Sequence, residues 1–415
     1  MNLIWLPWKN LWLHPLRTVF NIMLVAIAVA LIVILLLINA QFGQHLGKSS
    51  EKIDAILAAK GSPLQSVLCN IFHLDAPTGN IKVGEIKPFL RAVHPLIANA
   101  CPLALGDSYH KSRIIGTTDS YFRWMELSLR EGRMFEQDFE AVIGSELADL
   151  EHIRTGDTLM SNHGLTALDL DTKHEHGLRV VGILNNKNNL ADKLIFTTIS
   201  TYWKEHDHGD TEGELSAHQD TPVLRNSDLD NIDNDKTLTS VLIQFKGHNI
   251  QSLNFVRNVN EGSKLMAVSP AIEISRLYEL TGTASDMLYW IAVIIGILSM
   301  FAIFINLIQA LEERRPELGI LRIGGASRSL LFGMTMIEGL LISLIGTITG
   351  WLLAHGLLEM FSHLFDLNSR YGIKGLYLAP GEWILILLSA ISGLVAALIP
   401  SVRAYREEIA RLLRL

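Results

Sequence analysis

Four stretches of the chain are apolar over membrane-spanning length, and the sequence between them alternates polar and apolar residues on shorter periods. The stretches are residues 19–38, 288–310, 330–358 and 383–399. A hydrocarbon core about 30 Å thick takes roughly 20 helical residues, so the pattern predicts four transmembrane helices. Residues 41–286 contain no such run and carry mixed signals. Helical apolar spacing marks residues 84–96, 248–259 and 270–280, the last running into the second span. Short β-rich runs fall at 99–105, 113–116, 141–143, 179–184, 194–198 and 240–245, punctuated by turn residues such as Gly156 and Asp157. The predicted fold class is a membrane protein with four transmembrane α-helices plus a large α+β extracytoplasmic domain inserted between spans 1 and 2. The alternation of helix and strand signals suggests one lobe of that domain inserted in another.

Charge placement orients these spans. Arg314, Arg315, Arg322 and Arg328 lie between the second and third apolar runs, and Arg403, Arg406, Arg411 and Arg414 follow the fourth. Short basic segments resist translocation, which predicts both termini and residues 312–329 on the cytoplasmic side, with 41–286 and 359–382 outside. The N-terminus is amphipathic: Trp5, Trp8 and Trp12 suit the membrane interface, and Lys9 and Arg17 the inner face. A secretory signal is the rival reading of the first run. Its apolar core exceeds an h-region of about 7–15 residues, so an uncleaved span is expected.

Composition agrees with a chain divided between two solvents: 49% of residues are hydrophobic and mean hydropathy is +0.28. A net charge of −7 argues against a nucleic-acid partner. The sequence has no GxxxxGK[ST] loop, HExxH pair or GxSxG elbow, so it is expected to be non-catalytic and not to hydrolyse ATP itself. Cys69 and Cys101 both fall in the polar segment; a disulfide in an oxidising compartment and two buried thiols both fit.

Residues 312–331, EERRPELGILRIGGASRSLL, form a short amphipathic stretch: Leu318, Ile320, Leu321, Ile323 and Leu330 take helical spacing, the four arginines stay in water, and Gly324 and Gly325 stop the helix. This stretch, followed by EGLLISLIGTITG at 338–350, resembles the C-terminal half of FtsX/MacB-type ABC transporter permeases. KNLWLHPLRT near the N-terminus is similar to the family's beginning, and residues 58–81, 114–135 and 141–159 resemble its MacB-like extracytoplasmic core; residues 207–236 match nothing in it. The resemblance implies three parts: residues 1–40 with the first span, a core at 41–286 with a porter-like lobe and an inserted lobe, and an FtsX-like region at 287–415. It further implies a coupling helix at 312–329 that docks into a separate ABC ATPase dimer, through Glu313, Arg314, Arg315, Glu317, Leu318, Leu321, Arg322 and Ser327. ATP and Mg²⁺ would bind that partner. A second permease copy would complete a homodimer in the lipid of a bacterial cytoplasmic membrane, with an extracytoplasmic adaptor or substrate-binding protein as a further partner. The resemblance leaves two functions open: mechanotransmission for substrate export or extraction, and mechanical control of an extracytoplasmic enzyme such as a wall hydrolase.

Three further features carry expectations. In the third span Gly339, Ser343, Gly346 and Gly350 make a small-residue stripe that suits close helix packing. Glu338 and His355 are the ionisable residues to weigh within the spans. Glu338 reads as a headgroup-level or helix-packing residue, and His355 as an interfacial histidine. On the polar segment, His174-Glu175-His176 and His206-Asp207-His208 repeat a His-acid-His pattern. His174, His176, His206 and His208 suit a divalent transition metal; the same residues also suit a solvated polar loop.

Overall fold

The structure, a computed structural model, describes residues 5–13, 15–91, 93–110, 112–163, 173–187, 189–206, 224–226, 228–247, 249–365 and 373–406. In chain order its elements begin with α1 (Trp5–Leu11), α2 (Pro15–Ser50), β1 (Ala55–Ala59), α3 (Pro63–Asn70), β2 (Ile81–Lys82), α4 (Val83–Leu90), β3 (Ile97–Tyr109) and β4 (Ser112–Thr117). Next come α5 (Asp119–Trp124), β5 (Leu129–Gly132), β6 (Glu140–Ile143), α6 (Ser145–Leu150), β7 (Thr158–His163), β8 (Lys173–Leu184), β9 (Ile195–Thr198) and α7 (Ile199–His206). The remainder holds β10 (Thr237–Leu238), β11 (Ser240–Phe245), α8 (Ile250–Gly262), β12 (Leu265–Val268), α9 (Pro270–Glu313), α10 (Arg315–Ile323), α11 (Arg328–Leu364) and α12 (Glu382–Arg406). Two compact units result, Gln44–Tyr278 and Met1–Gly43 with Glu279–Leu415.

The first unit is built on a ten-stranded mixed sheet in the order β12-β1-β11-β3-β4-β9-β6-β8-β5, with β7 paired to β3 and β8. Strand β3 is long enough to serve two lobes. Its early residues pair with β11, its later ones with β4, and the register shifts between Leu105 and Ser108. On one side of that division Leu57, Val83, Ile86, Val241, Phe255 and Leu265 close a core; on the other, Ile143, Leu147, Leu159, Leu178, Val180 and Ile195 close a second. The chain leaves the first lobe along β3, builds the second through β9, and returns along β11. This is the large α+β domain that the alternating signals suggested.

Local departures have local causes. The helix expected over 84–96 ends at Leu90, with Arg91 already extended at ψ 136°, and Pro95 keeps His94 from resuming it. There the His94 Nδ1 accepts from the Leu96 and Ile97 amides, both at 3.2 Å, and starts β3. Strands β1 and β12 were not predicted, and both are buried along almost their whole length, so neither shows the period-two alternation of a half-exposed strand.

Both cysteines are free and buried. Burial pushes the Cys69 thiol up to about 11 and raises Cys101 as well, which makes both inert as nucleophiles. His73 takes φ 56° in the left-handed region. Burial, helped by Arg113, pushes its imidazole down to about 3. Below its unfolded value of about 6.5 the unfolded chain takes up a proton that native His73 refuses, so stability is fully present above that pH. It falls by about 1.4 kcal/mol per pH unit as pH drops toward the folded value. The stability lost by the full chain between pH 7 and pH 5 should therefore be smaller in His73→Asn than in the wild type by roughly 2 kcal/mol in thermal unfolding, asparagine being at ease with positive φ. An equal acid loss in the variant refutes this origin.

The second unit holds four helices long and apolar enough to cross a membrane: α2, α9, α11 and α12. Helix α11 is the central one. On one face Gly339 lies against Ala397 and Gly393 of α12, and the Ser343 hydroxyl donates to the Ser389 carbonyl. On another, Gly346 and Gly350 lie against Val25 and Ala26 of α2. Val33, Leu37, Ile303, Leu307, Ile342 and Ala397 fill the space between the four helices. Toward the C-terminal end of α11, side chains from the helices satisfy the backbone of the connection to α12. Gln41 exchanges two hydrogen bonds with Lys374, and Glu359 accepts from the Gly375 amide at 2.7 Å. His355 is not interfacial: it is 7% exposed, with Nδ1 2.5 Å from the Gly375 carbonyl and Nε2 3.3 Å from Glu382. The connection folds down over the helix ends and encloses it.

Candidate functional site

At the opposite end of the bundle, the α9–α11 corner is specified residue by residue. Pro316 stands at the start of α10; with no amide hydrogen and a ring that clashes with the preceding turn, it ends α9 and opens a new helix. Gly325, at φ 96°, ends α10, with the Gly324 amide donating to Ile320 and the Ala326 amide to Leu321. The Ser327 hydroxyl then caps α11 by accepting from the Leu330 amide at 3.2 Å.

Helix α10 has an inward and an outward face. Inward, Leu318 packs with Leu6, Leu311, Leu331, Met334 and Ala404, and Gly319 is buried. Outward, Ile320 and Ile323 are 67% and 63% exposed; one turn apart, they form an apolar ridge. Exposed Pro316, Glu317, Ser327 and Arg328 surround them, and Leu321 and Arg322 are half-buried. The Arg322 guanidinium donates back to the Ala326 carbonyl at 2.7 Å.

Arg314 was expected in water and is instead enclosed. Its Nη1 lies 3.1 Å from Glu338 Oε1, its Nη2 donates to the Asn10 carbonyl at 2.7 Å, and the Asn10 amide nitrogen donates to Glu338 at 2.7 Å. A buried carboxylate in an apolar helix is tolerable only with such partners, which makes Glu338 a packing residue. More exposed pairs surround this one: Arg17 with Glu313 at 2.8 Å, and Arg403 with Glu312 at 3.0 Å.

Of the residues assigned to coupling, the structure thus turns Leu318 and Arg314 inward and keeps Glu313, Glu317 and Ser327 exposed. Sequence reasoning placed Ile320 and Ile323 among the apolar positions without distinguishing their face from that of Leu318, and it passed over Asn10. Helical phase alone separates residues 318 and 320, and that is the signal that was available.

The histidine pattern comes out differently. Among the described residues no group of three or more His, Cys, Asp or Glu is placed to hold a metal. His206 stacks on Tyr202 and pairs with buried Asp107 at 3.4 Å. Burial alone would lower its imidazole, and the Asp107 carboxylate outweighs that and raises it. His208 and the side chains of His174 and His176 lie outside the described residues, as do residues 207–223 of the unmatched segment.

An α10 corner between two apolar helices in one unit, and a two-lobed α+β fold in the other, agree with what comparison finds. The MacB-like periplasmic core domain matches residues 18–232, and the FtsX-like permease C-terminal region matches residues 289–409. The chain belongs to the FtsX/MacB-type ABC transporter permeases. Similar solved structures include the periplasmic region of MacB from Actinobacillus actinomycetemcomitans, at 11% identity and TM-score 0.34, covering 56% of this chain and 97% of that one. The extracellular domain of the noncanonic ABC-type transporter YknZ from Gram-positive bacteria is also similar, at 13% identity and TM-score 0.29, covering 52% of this chain and 99% of that one. No curated protein matches the chain. The family is one of membrane permeases, generally non-catalytic, with an extracytoplasmic domain, and the four apolar helices fit it.

Proposed function

We propose that this permease couples ATP hydrolysis in a separate ATPase dimer to movement of its Gln44–Tyr278 unit, for export or extraction of a substrate outside the membrane. One observation carries the reading: a helix that is anchored on its inward face presents an unpartnered Ile320–Ile323 ridge at the turn between two membrane-length helices. In an ABC permease a separate ATPase is the partner suited to such a ridge. Glu313, Arg315, Glu317, Leu321, Arg322 and Ser327 form its surroundings, the charged ones contributing electrostatic complementarity and Leu321 apolar contact. The ATPase brings ATP and Mg²⁺. A two-fold ATPase offers two equivalent clefts, so two permease copies complete the assembly. With His206 paired to Asp107, a transition-metal site would have to be built from His174, His176 and His208 without it, and no transition metal is assigned a part in the coupling.

Capture of the tagged full chain from its native membrane tests the reading. An ABC ATPase should co-purify, and its hydrolysis rate should change on reconstitution with the permease. Capture of a wall hydrolase with no ATPase would favour the regulatory role and end the transport reading.

The same reading fixes orientation, with both termini and α10 cytoplasmic, as the arginines at this end require. A cysteine at exposed Ser275 should react with an impermeant maleimide in cells with a permeabilised outer layer, and one at exposed Ser327 should not. The reverse pattern inverts the topology.

A further inference from the structure

We infer that Asn10, Arg314 and Glu338 form a latch through which displacement of α10 passes into α11 and α1. The source of that displacement rests on the docking proposed above; the latch itself rests on geometry within one unit. Glu338 belongs to α11, Asn10 to α1, and Arg314 to the turn between α9 and α10. Their three hydrogen bonds close a triangle. Oε1 of Glu338 accepts from both Asn10 and Arg314, and Arg314 also donates to the Asn10 carbonyl. The Arg314 and Glu338 side chains are 13% and 9% exposed. Enclosed charge-assisted bonds of fixed geometry resist sliding in a way that solvated pairs do not.

The remainder of α10 is held differently. Its C-terminal end runs into Gly324 and Gly325, where φ of 96° at Gly325 marks a residue free of side-chain constraint. Two small clefts, each with room for little more than a water molecule, are lined by Leu318, and one of them reaches Asn10, Arg314 and Glu338. Helix α10 is therefore closed by a hydrogen-bonded glycine corner at one end and held by an enclosed polar joint at the other. A push on the Ile320–Ile323 ridge loads the Arg314 joint. The joint is made to α11, the helix whose glycines and serine lock it to α2 and α12, so the load enters the whole bundle. Asn10 carries part of it to α1. Arg314, Glu338 and Asn10 are positioning residues in this scheme and need not touch the ATPase.

The test uses the full chain in nanodiscs with the ATPase that co-purifies with it. In Glu338→Gln, backbone amides of Arg315–Ile323 and Trp5–Leu11 should exchange about tenfold faster than in the wild type, while amides in the middle of α11 keep their protection. A fluorophore at Met360→Cys, an exposed site near the far end of α11, should lose most of its nucleotide-driven change while the ATPase stays bound. The charge swap Arg314→Glu with Glu338→Arg re-forms the 314–338 pair but neither bond to Asn10, so it should restore the protection of Arg315–Ile323 and much of the Met360 response while α1 stays fast, a recovery that simple loosening of the structure would not allow. Asn10→Ala, a milder change, should speed exchange in α1 first. Unchanged exchange in Glu338→Gln, an undiminished Met360 response, or failure of the swap to rescue would overturn the latch. Should Glu338→Gln not fold, Asn10→Ala and the swap decide alone, and wild-type exchange of α1 in Asn10→Ala overturns it. Should the wild type bind no ATPase, the docking reading falls and the exchange and rescue measurements still decide the latch.

Discussion

Aspartate at both Ile320 and Ile323 reduces ATPase docking by about 100-fold or more. Each isoleucine presents most of its side chain to solvent in the permease alone, and covering such a side chain in a cleft contributes about 1–2 kcal/mol. The substitution removes that gain and buries two carboxylates without partners, which costs more than the lost contact. The permease itself should fold normally, because substitutions at exposed helix positions rarely shift stability by more than about 0.5 kcal/mol. Charge reversal at exposed Glu317 should act through steering and weaken binding by about tenfold at most, with a strong dependence on salt. Titration of labelled ATPase onto the permease in nanodiscs measures both effects. Wild-type affinity in the double aspartate variant would remove the ridge from the interface.

Gly350→Val disrupts the helix bundle, at a cost of about 3 kcal/mol or more. A Cβ at Gly350 would fall on the Ala26 carbonyl oxygen and lie 2.9 Å from the Ala26 Cα. The obstacle is backbone, so no rotamer change relieves it; α2 and α11 must move apart, and the contacts of Val25 and Val29 go with them. Gly346→Val should behave similarly, since its Cβ would meet the Val25 side chain at 2.6 Å. Gly356→Val is the control: it lies on the same helix with nothing within 4 Å of the added Cβ and an exposed position. Thermal unfolding in detergent should show a large loss for Gly350→Val and almost none for Gly356→Val. Equal stability of the two would mean that the stripe does not hold α2 against α11.

Much of this molecule is written in local sequence. Membrane-length apolar runs need only continuous hydrophobicity, so all four long helices are legible without knowing what they touch. The α10 corner is legible for a similar reason: Pro316 cannot continue α9, and Gly324 and Gly325 cannot sustain α10, whatever surrounds them. Strands β4, β6 and β9 are legible from β-rich composition between turn residues although they are largely buried. Strands β1, β5, β7 and β12 lack so clear a local signal, and they appeared only once the sheet was assembled.

Tertiary structure decided which way each polar and apolar group turned. Arg314 and Arg322 look alike in sequence, as do Leu318 and Ile320. Arg314 is enclosed because α11 brings Glu338 and α1 brings Asn10 to the same point, residues 24 and 304 positions away along the chain. Leu318 is covered because Leu331, Met334 and Ala404 meet there, and Ile320, two residues on, is left exposed among the described residues. His355 reads as interfacial until the 373–379 connection folds over it, and the stripe from Gly339 to Gly350 names no partners until α2 and α12 are placed. Periodicity and apolar length are properties of neighbouring residues, so a sequence carries them intact. Burial and pairing depend on groups that only the packed chain brings together, and those decided the joint and the ridge.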